Sequence, residues 1–302
     1  MNNKIIKNPF NYSGSKNRIL PLIQENLPSD CFNIVEPFAG TFEVALNTNY
    51  IYKIYNDKNY YLYSMIQLVK DSDIDNLIDY LKSIIKEHKL SKNDKENFYK
   101  FRDYFNHEWK DFLKSHGVYK DTAFLNLLAL IYHSFNYYWT FDKDGRYINT
   151  SGYKRSCFNS SLECKLRDYS NALKELCLIS DFYNLDFRDF YKENFGYNFK
   201  NIYQTLFFVD PPYTNSDDTY SRTNDLKWTT QDEQDLYDIL YDIDKRGGKF
   251  MLTNTIECNG KFNKLLHEFS KNFNVINTEC EFYNCSYQRK NKKTKEIIVK
   301  NY

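Results

Sequence analysis

The stretch FNIVEPFAGTFEVALNTNYIYKIYND, residues 32–57, decides the fold. Phe32–Phe38 reads as a strand, Ala39-Gly40 as a turn, Val44-Ala45-Leu46 as a helix, and Tyr52–Tyr55 as a second strand ending in Asn56-Asp57. Strand, glycine turn, helix, strand and acid, in that order, follow the grammar of a dinucleotide-type α/β fold. An acid at the carboxyl end of the second strand is placed to accept hydrogen bonds from a ribose diol. Taken singly, Glu36 also suits a surface acid and Asp57 a helix N-cap.

Downstream, Phe207-Phe208-Val209-Asp210-Pro211-Pro212-Tyr213 runs an apolar strand into an acid, two prolines and an aromatic ring. Each proline locks φ and removes an N–H donor, so the Asp210 and Pro211 carbonyls keep a fixed direction. A carboxylate, a fixed carbonyl and a ring face at one strand end suit a flat base bearing an exocyclic amine. They also suit attack by that amine on an electrophilic methyl group. Upstream, the loop Tyr12-Ser13-Gly14-Ser15-Lys16 offers an ammonium and backbone N–H groups to a carboxylate or phosphate. The same loop reads equally as an ordinary helix start.

Between these landmarks the rhythm changes. Ser72–Lys89, Phe98–Trp109 and Ala123–Phe135 have helical apolar spacing with no strand among them, so residues 61–164 read as a helical insertion. Asn136–Asn159, rich in Tyr, Asn, Gly and basic residues, reads as an exposed hairpin or long loop. Ser160/Glu163 and Thr230/Glu233 are spaced as capping boxes, each opening a helix. Strands follow at Leu206–Val209 and Phe250–Asn254, a helix at Phe262–Phe269, and a closing antiparallel pair at Asn274–Tyr283 and Glu296–Tyr302. The expected architecture is a Rossmann-like α/β domain, discontinuous over residues 1–60 and 165–302, interrupted by the insertion.

With 42% hydrophobic and 27% charged residues among 302, the chain can bury a core and is not broadly disordered. Its net charge of +1 gives no global signal for a polyanionic partner, so local clusters must supply one. Seven cysteines without a Cys-x-x-Cys pair argue against a disulfide framework or zinc site, and no metal is expected. No run is apolar enough to span a bilayer, and the basic start Met1–Lys7 leads into no signal-type segment, which points to the cytosol.

Across nearly its whole length the chain resembles the Dam-like, D12-class adenine-N6 DNA methyltransferases. Tyr12–Lys16 is similar to their N-terminal aromatic-x-Gly-x-Lys element, Glu36-Pro37-Phe38-Ala39-Gly40 to their cofactor motif, and Asp186-Phe187 to an Asp-Phe element before the catalytic strand. Asp210-Pro211-Pro212-Tyr213 resembles the catalytic motif and Glu296–Tyr302 the closing strand. The resemblance implies S-adenosylmethionine as cofactor, held by Tyr12, Lys16, Glu36, Asp57 and Asp210, lined by Phe38 and Gly40, and flanked at its adenine by Asp186 and Phe187. It implies catalysis by Asp210, Pro211, Pro212 and Tyr213 on a flipped adenine of double-stranded DNA, with a GATC-type site as first expectation. Phe42 departs from the family's small residue and is expected to face the helix–sheet core.

DNA contacts are expected from Tyr138, Lys143, Arg146, Asn149, Lys154 and Arg155, among Tyr137, Trp139 and Tyr147, in a segment similar to the family's Asn/Arg-rich hairpin. The basic run Arg289–Lys295 is a second candidate for phosphates. A solvated hairpin with aromatics packed inward is the other reading of the first cluster. The expected setting is a bacterial or phage-encoded cytoplasmic enzyme at the nucleoid, a monomer or weak dimer, with a cognate restriction endonuclease in a restriction–modification, phage or epigenetic context. An RNA adenine methyltransferase and a catalytically idle DNA-binding protein are the alternatives; Asp210 argues against the first, and the intact acidic motif with Lys16 against the second.

Overall fold

A computed structural model describes residues 5–12, 14–176, 180–196, 202–215, 228–258, 260–281 and 294–302. The chain divides into two compact units. One comprises Met1–Ser15, Asn59–Cys177 and Arg222–Asp225; the other comprises Lys16–Lys58, Leu178–Ser221 and Leu226–Tyr302.

The second unit holds the sheet. Its strands are β1 (Asn33–Glu36), β2 (Tyr52–Asn56), β3 (Ser180–Tyr183), β4 (Thr205–Val209), β5 (Lys249–Cys258), β6 (Lys261–Phe262), β7 (Asn274–Glu281) and β8 (Thr294–Lys300). They lie in the order β3-β2-β1-β4-β5-β8-β7, with β6 beside β5. The pairs from β3 to β5 are parallel, and β8 and β7 complete the sheet antiparallel. Helices α1 (Leu20–Glu25) and α2 (Glu43–Leu46) belong to this unit. The helical unit contains α3 (Tyr60–Asp71), α4 (Ile74–Glu87), α5 (Lys95–Tyr104), α6 (Val118–His133) and α7 (Ser160–Leu176). The sheet unit then resumes with α8 (Phe187–Phe195), α9 (Thr230–Lys245) and α10 (Lys264–Ser270). Among the described residues no helix is long and apolar enough to cross a membrane.

Central β4 is buried at all five positions, as a parallel strand covered on both faces must be. Phe207 and Val209 share a core with Val35, Leu252 and the inward faces of α8 and α9. The two ends of β4 therefore differ sharply. The strand body is locked in apolar packing, and the polar residues begin where it stops.

Several local expectations shift. The cap of α7 is Asn159 rather than Ser160: its Oδ1 accepts from the N–H groups of Ser161 and Leu162. The capping box of α9 lies one residue earlier than Thr230/Glu233, with Thr229 and Asp232 bonding reciprocally. The expected 98–109 helix ends at Tyr104 and loosens into a π turn over Phe105–Trp109 and a 3-10 turn over Lys110–Lys114. Strand β3 and helix α3 had no counterpart in the sequence reading. The hairpin region closes through bridges Ser134↔Ser151 and Phe141↔Tyr147.

Candidate active site

Strand β1 has β2 on one side and β4 on the other, with Val35 opposite both Ile54 and Phe207. The chain runs outward through β2 and β3, then returns to β4, so its direction reverses between β1 and β4. Such a switch point leaves a crevice outside the carboxyl ends of the two strands. Glu36 ends β1, and Asp210 is the first residue past β4.

The turn after β1 is fastened to β2. Asn56 Nδ2 donates to the Pro37 carbonyl at 2.9 Å, Ala39 N–H to the Asn56 carbonyl at 2.9 Å, and Gly40 N–H to Asp57 Oδ2 at 2.8 Å. Gly40 has φ 51°, a left-handed conformation that glycine adopts without steric cost. Phe42, also left-handed at φ 58°, is fully buried and packs edge-on against Tyr55 and Phe182. It faces the helix–sheet core, as expected. Glu36 is buried, and its Oε1 accepts from Ala45 N–H at 2.5 Å.

Burial, with lesser repulsion from Asp210 and Glu43, lifts the Glu36 carboxyl from 4.5 to about 8. The folded chain thus keeps a proton that the unfolded chain releases near 4.5. The stabilisation from that proton is complete at lower pH and is lost as pH rises through about 8. Glu36→Gln should flatten this dependence: its urea midpoint relative to the parent should rise between pH 4.5 and 8. A pH-independent difference would show that Glu36 is already ionised in the folded chain.

Beyond β4, one compact polar cluster forms. Lys16 Nζ lies 2.5 Å from Asp210 Oδ2 and 3.9 Å from Glu296 Oε1. Asp210 Oδ1 accepts from Thr253 Oγ1 at 2.7 Å, and the Tyr213 hydroxyl is 3.0 Å from both Asp210 Oδ1 and Glu296 Oε1. Burial disfavours the Lys16 ammonium, but Asp210 and Glu296 outweigh it and raise its pKa. Tyr213 is pushed well above its usual value by burial and by the same two carboxyls.

The residues after the motif are anchored as well. Glu233 on α9 accepts from Thr214 Oγ1 at 2.9 Å, Tyr237 OH at 2.7 Å and Asn263 Nδ2 at 2.7 Å. Asn215 donates to the Thr255 and Lys261 carbonyls and accepts from Thr255 Oγ1 at 2.6 Å. The elbow is therefore held at both ends.

On the β2 side, Phe38, Phe187 and Trp228 gather with ring centroids 5.1–5.5 Å apart. Trp228 Nε1 is buried with no hydrogen-bond acceptor among the described residues. Asp186 caps α8, accepting from Arg188 N–H at 3.0 Å, and pairs with Lys58 at 3.1 Å. Burial opposes its ionisation, but the Arg188 N–H and the Lys58 ammonium hold its pKa below the usual range.

Comparison with known proteins bears directly on this arrangement. The profile of the D12 class N6 adenine-specific DNA methyltransferases matches residues 12–296. The chain belongs to this family. It is 31% identical to the type II methyltransferase M.FokI of Planomicrobium okeanokoites over 99% of this chain and 43% of that protein. To the modification methylase LlaI of Lactococcus lactis subsp. lactis it is 28% identical over 98% of this chain and 43% of that protein. M.MjaIII of Methanocaldococcus jannaschii is 29% identical over 97% of this chain and 99% of its own length. The D12-class chain thus spans less than half the length of its FokI and LlaI relatives.

Within the D12-class sheet unit, Lys16, Glu36, Phe38, Gly40, Asp57, Asp186, Phe187 and Asp210–Tyr213 all sit on or beside the loops described. Tyr12 belongs to the helical unit, where its hydroxyl accepts from Asn59 Nδ2 at 3.0 Å. In that unit Lys143, Arg146, Lys154 and Arg155 are exposed and Tyr138 is half-buried. Asn149 is buried instead, its Nδ2 donating to the Phe135 and Tyr138 carbonyls at 3.1 Å. Tyr147 is buried too, donating to the Tyr138 carbonyl at 2.9 Å. These two hold the hairpin together from within, so the inward-packed reading applies to them. Of the run Arg289–Lys295, residues 289–293 lie outside the described residues; Lys295, at the start of β8, pairs with Glu257 at 3.5 Å.

Sequence reasoning assigned no site role to Trp228, Thr253 or Glu296. Glu296 carried a signal: it is an acid directly before the run Ile297-Ile298-Val299, which is apolar and buried.

Proposed function

We propose that this protein transfers a methyl group from S-adenosylmethionine to the N6 amine of adenine in double-stranded DNA. The supporting observation is the juxtaposition of the Asp57-fastened glycine turn with the rigid Asp210–Tyr213 elbow at the switch point between β1 and β4. The donor set fits the cofactor: three aromatic rings with an unsatisfied indole N–H suit an adenine, and Asp57, beside the turn, suits a ribose. Lys16, Phe38, Gly40, Asp57, Asp186, Phe187 and Trp228 would hold it. When bound, S-adenosylmethionine supplies an electrophilic methyl carbon.

The chain's own part is orientation. Asp210 and the Pro211 carbonyl accept hydrogen bonds from the adenine amine, turning its lone pair out of conjugation with the ring. Tyr213 stacks on the base. Acceleration then comes from positioning and fixed charge. An adenine inside a duplex cannot reach such a crevice, so the base is flipped out. The exposed Lys143, Arg146, Lys154 and Arg155 supply phosphate and base-edge contacts, with Tyr138 beside them.

We place the activity in a bacterial or phage restriction–modification setting with a cognate endonuclease, a context supported by relatives named as type II methyltransferases and a modification methylase. A GATC-type site is the first sequence to test. Sequencing that reports N6-methyladenine, applied to DNA from cells expressing the protein, tests the reading. A single methylated motif supports it, and unmodified DNA from cells containing folded protein refutes it.

A further inference from the structure

The polar cluster beyond β4 poses a question of proton count. The Tyr213 hydroxyl has one proton, yet it lies 3.0 Å from a carboxyl oxygen of Asp210 and 3.0 Å from one of Glu296. It can donate fully to only one of them, since a proton shared between two acceptors makes a weaker three-centre bond to each. If both carboxyls were ionised, the second contact would set two lone-pair-bearing oxygens against each other in a buried site. A proton on one carboxyl, donated to the phenol, removes that conflict and satisfies both contacts.

Position decides which. Asp210 is served by donors at both oxygens: Lys16 at 2.5 Å on Oδ2, and Thr253 at 2.7 Å on Oδ1. Glu296 has a side chain only 2% exposed, stands 3.9 Å from the same ammonium, and among the described residues has no hydrogen-bond partner at Oε2. An ionised carboxylate with an unsatisfied buried oxygen is costly, whereas the carbonyl oxygen of a neutral acid tolerates it far better.

We infer that Glu296 is held as a neutral acid and acts as a positioning residue, donating from Oε1 to the Tyr213 hydroxyl so that the phenol proton is committed to Asp210. The inference rests on the proposed methyl transfer for its consequence but not for its chemistry. The donated proton fixes the Tyr213 hydroxyl, and with it the plane of the ring against which the base is to stack. It also leaves Lys16 and Asp210 as a one-to-one ion pair. Among the described residues, the groups facing the Glu296 carboxyl are the Lys16 ammonium, the Asp210 carboxylate and the Tyr213 phenol; Thr278 Oγ1, on β7, donates to the Glu296 main-chain carbonyl. Burial, with help from Asp210 and against both Lys16 and the Tyr213 hydroxyl, raises its pKa, in the same direction as the geometry.

Ionisation of Glu296 would pull the phenol proton and the ammonium away from Asp210, so kcat should fall on the alkaline side as that proton is lost. The test compares E296Q and E296A with the parent protein. Gln keeps a donor toward Tyr213 and carries no charge. E296Q should retain about a third or more of parental kcat and lose the alkaline fall, while E296A should drop kcat about 10–100-fold with little change in the KM for S-adenosylmethionine. Activity in E296Q as low as in E296A would overturn the inference.

Infrared difference spectroscopy at neutral pH reads the proton directly, without activity. The carbonyl band of a neutral carboxylic acid should be present in the parent and lost in E296Q. Glu36 contributes a band of its own, so the decisive signal is the one E296Q removes. Loss of a carboxylate band instead would overturn the inference. A parent that methylates no DNA but shows the acid band would refute the proposed function alone.

Discussion

Replacing Asp210 with alanine is expected to lower kcat for methyl transfer by about 10²–10⁴-fold, the range associated with removing a group that acts on the reacting nitrogen. DNA affinity should stay within a few-fold, because duplex binding is dominated by phosphate contacts and the exposed cations proposed to make them are in the helical unit. The Asp210 carboxylate receives Lys16, Thr253 and Tyr213 from three separate elements, so its direction is set before any base arrives. Alanine removes the acceptor for the amine while leaving β4 and the two prolines in place. Single-turnover transfer of labelled methyl groups at saturating cofactor, alongside DNA binding by anisotropy, separates the two effects. Activity within tenfold of the parent would remove the elbow from the chemistry.

Lys16→Met should have the largest effect on stability. Lys16 is 7% exposed, and its ammonium is the cation paired with Asp210 at 2.5 Å. Breaking a buried ion pair by removing one partner costs about 3–5 kcal/mol, chiefly because the remaining charge is stranded. Lys16→Met combined with Asp210→Asn leaves a neutral pair and should recover much of that loss, a coupling of about 2 kcal/mol or more. Urea unfolding of the four proteins measures this. Strictly additive losses would mean that Lys16 and Asp210 do not form a pair in solution.

Much of the site was legible because its residues break local apolar patterns. Glu36 and Asp210 each follow a run of strand formers, and Asp57 ends a third. Where the pattern is weak, the reading failed. All four residues of β3, Ser180-Asp181-Phe182-Tyr183, are half-buried at the sheet edge, and no alternation marks them. The cap of α9 was misplaced because Thr229/Asp232 and Thr230/Glu233 satisfy the same spacing. Only tertiary structure distinguishes them, since Glu233 turns inward to meet Thr214, Tyr237 and Asn263. Asn149 and Tyr147 looked like DNA readers by composition; their burial depends on how the hairpin folds back, which residue type alone does not fix.

The clamp formed by Glu233 and Asn215 around residues 214–215 has a mechanical consequence. A segment tied to α9, β5 and the turn before α10 cannot swing independently of them. Its conformational entropy is spent once, during folding, and not again at each catalytic cycle. The elbow is thus a fixed anchor beyond β4, its direction settled before any substrate arrives.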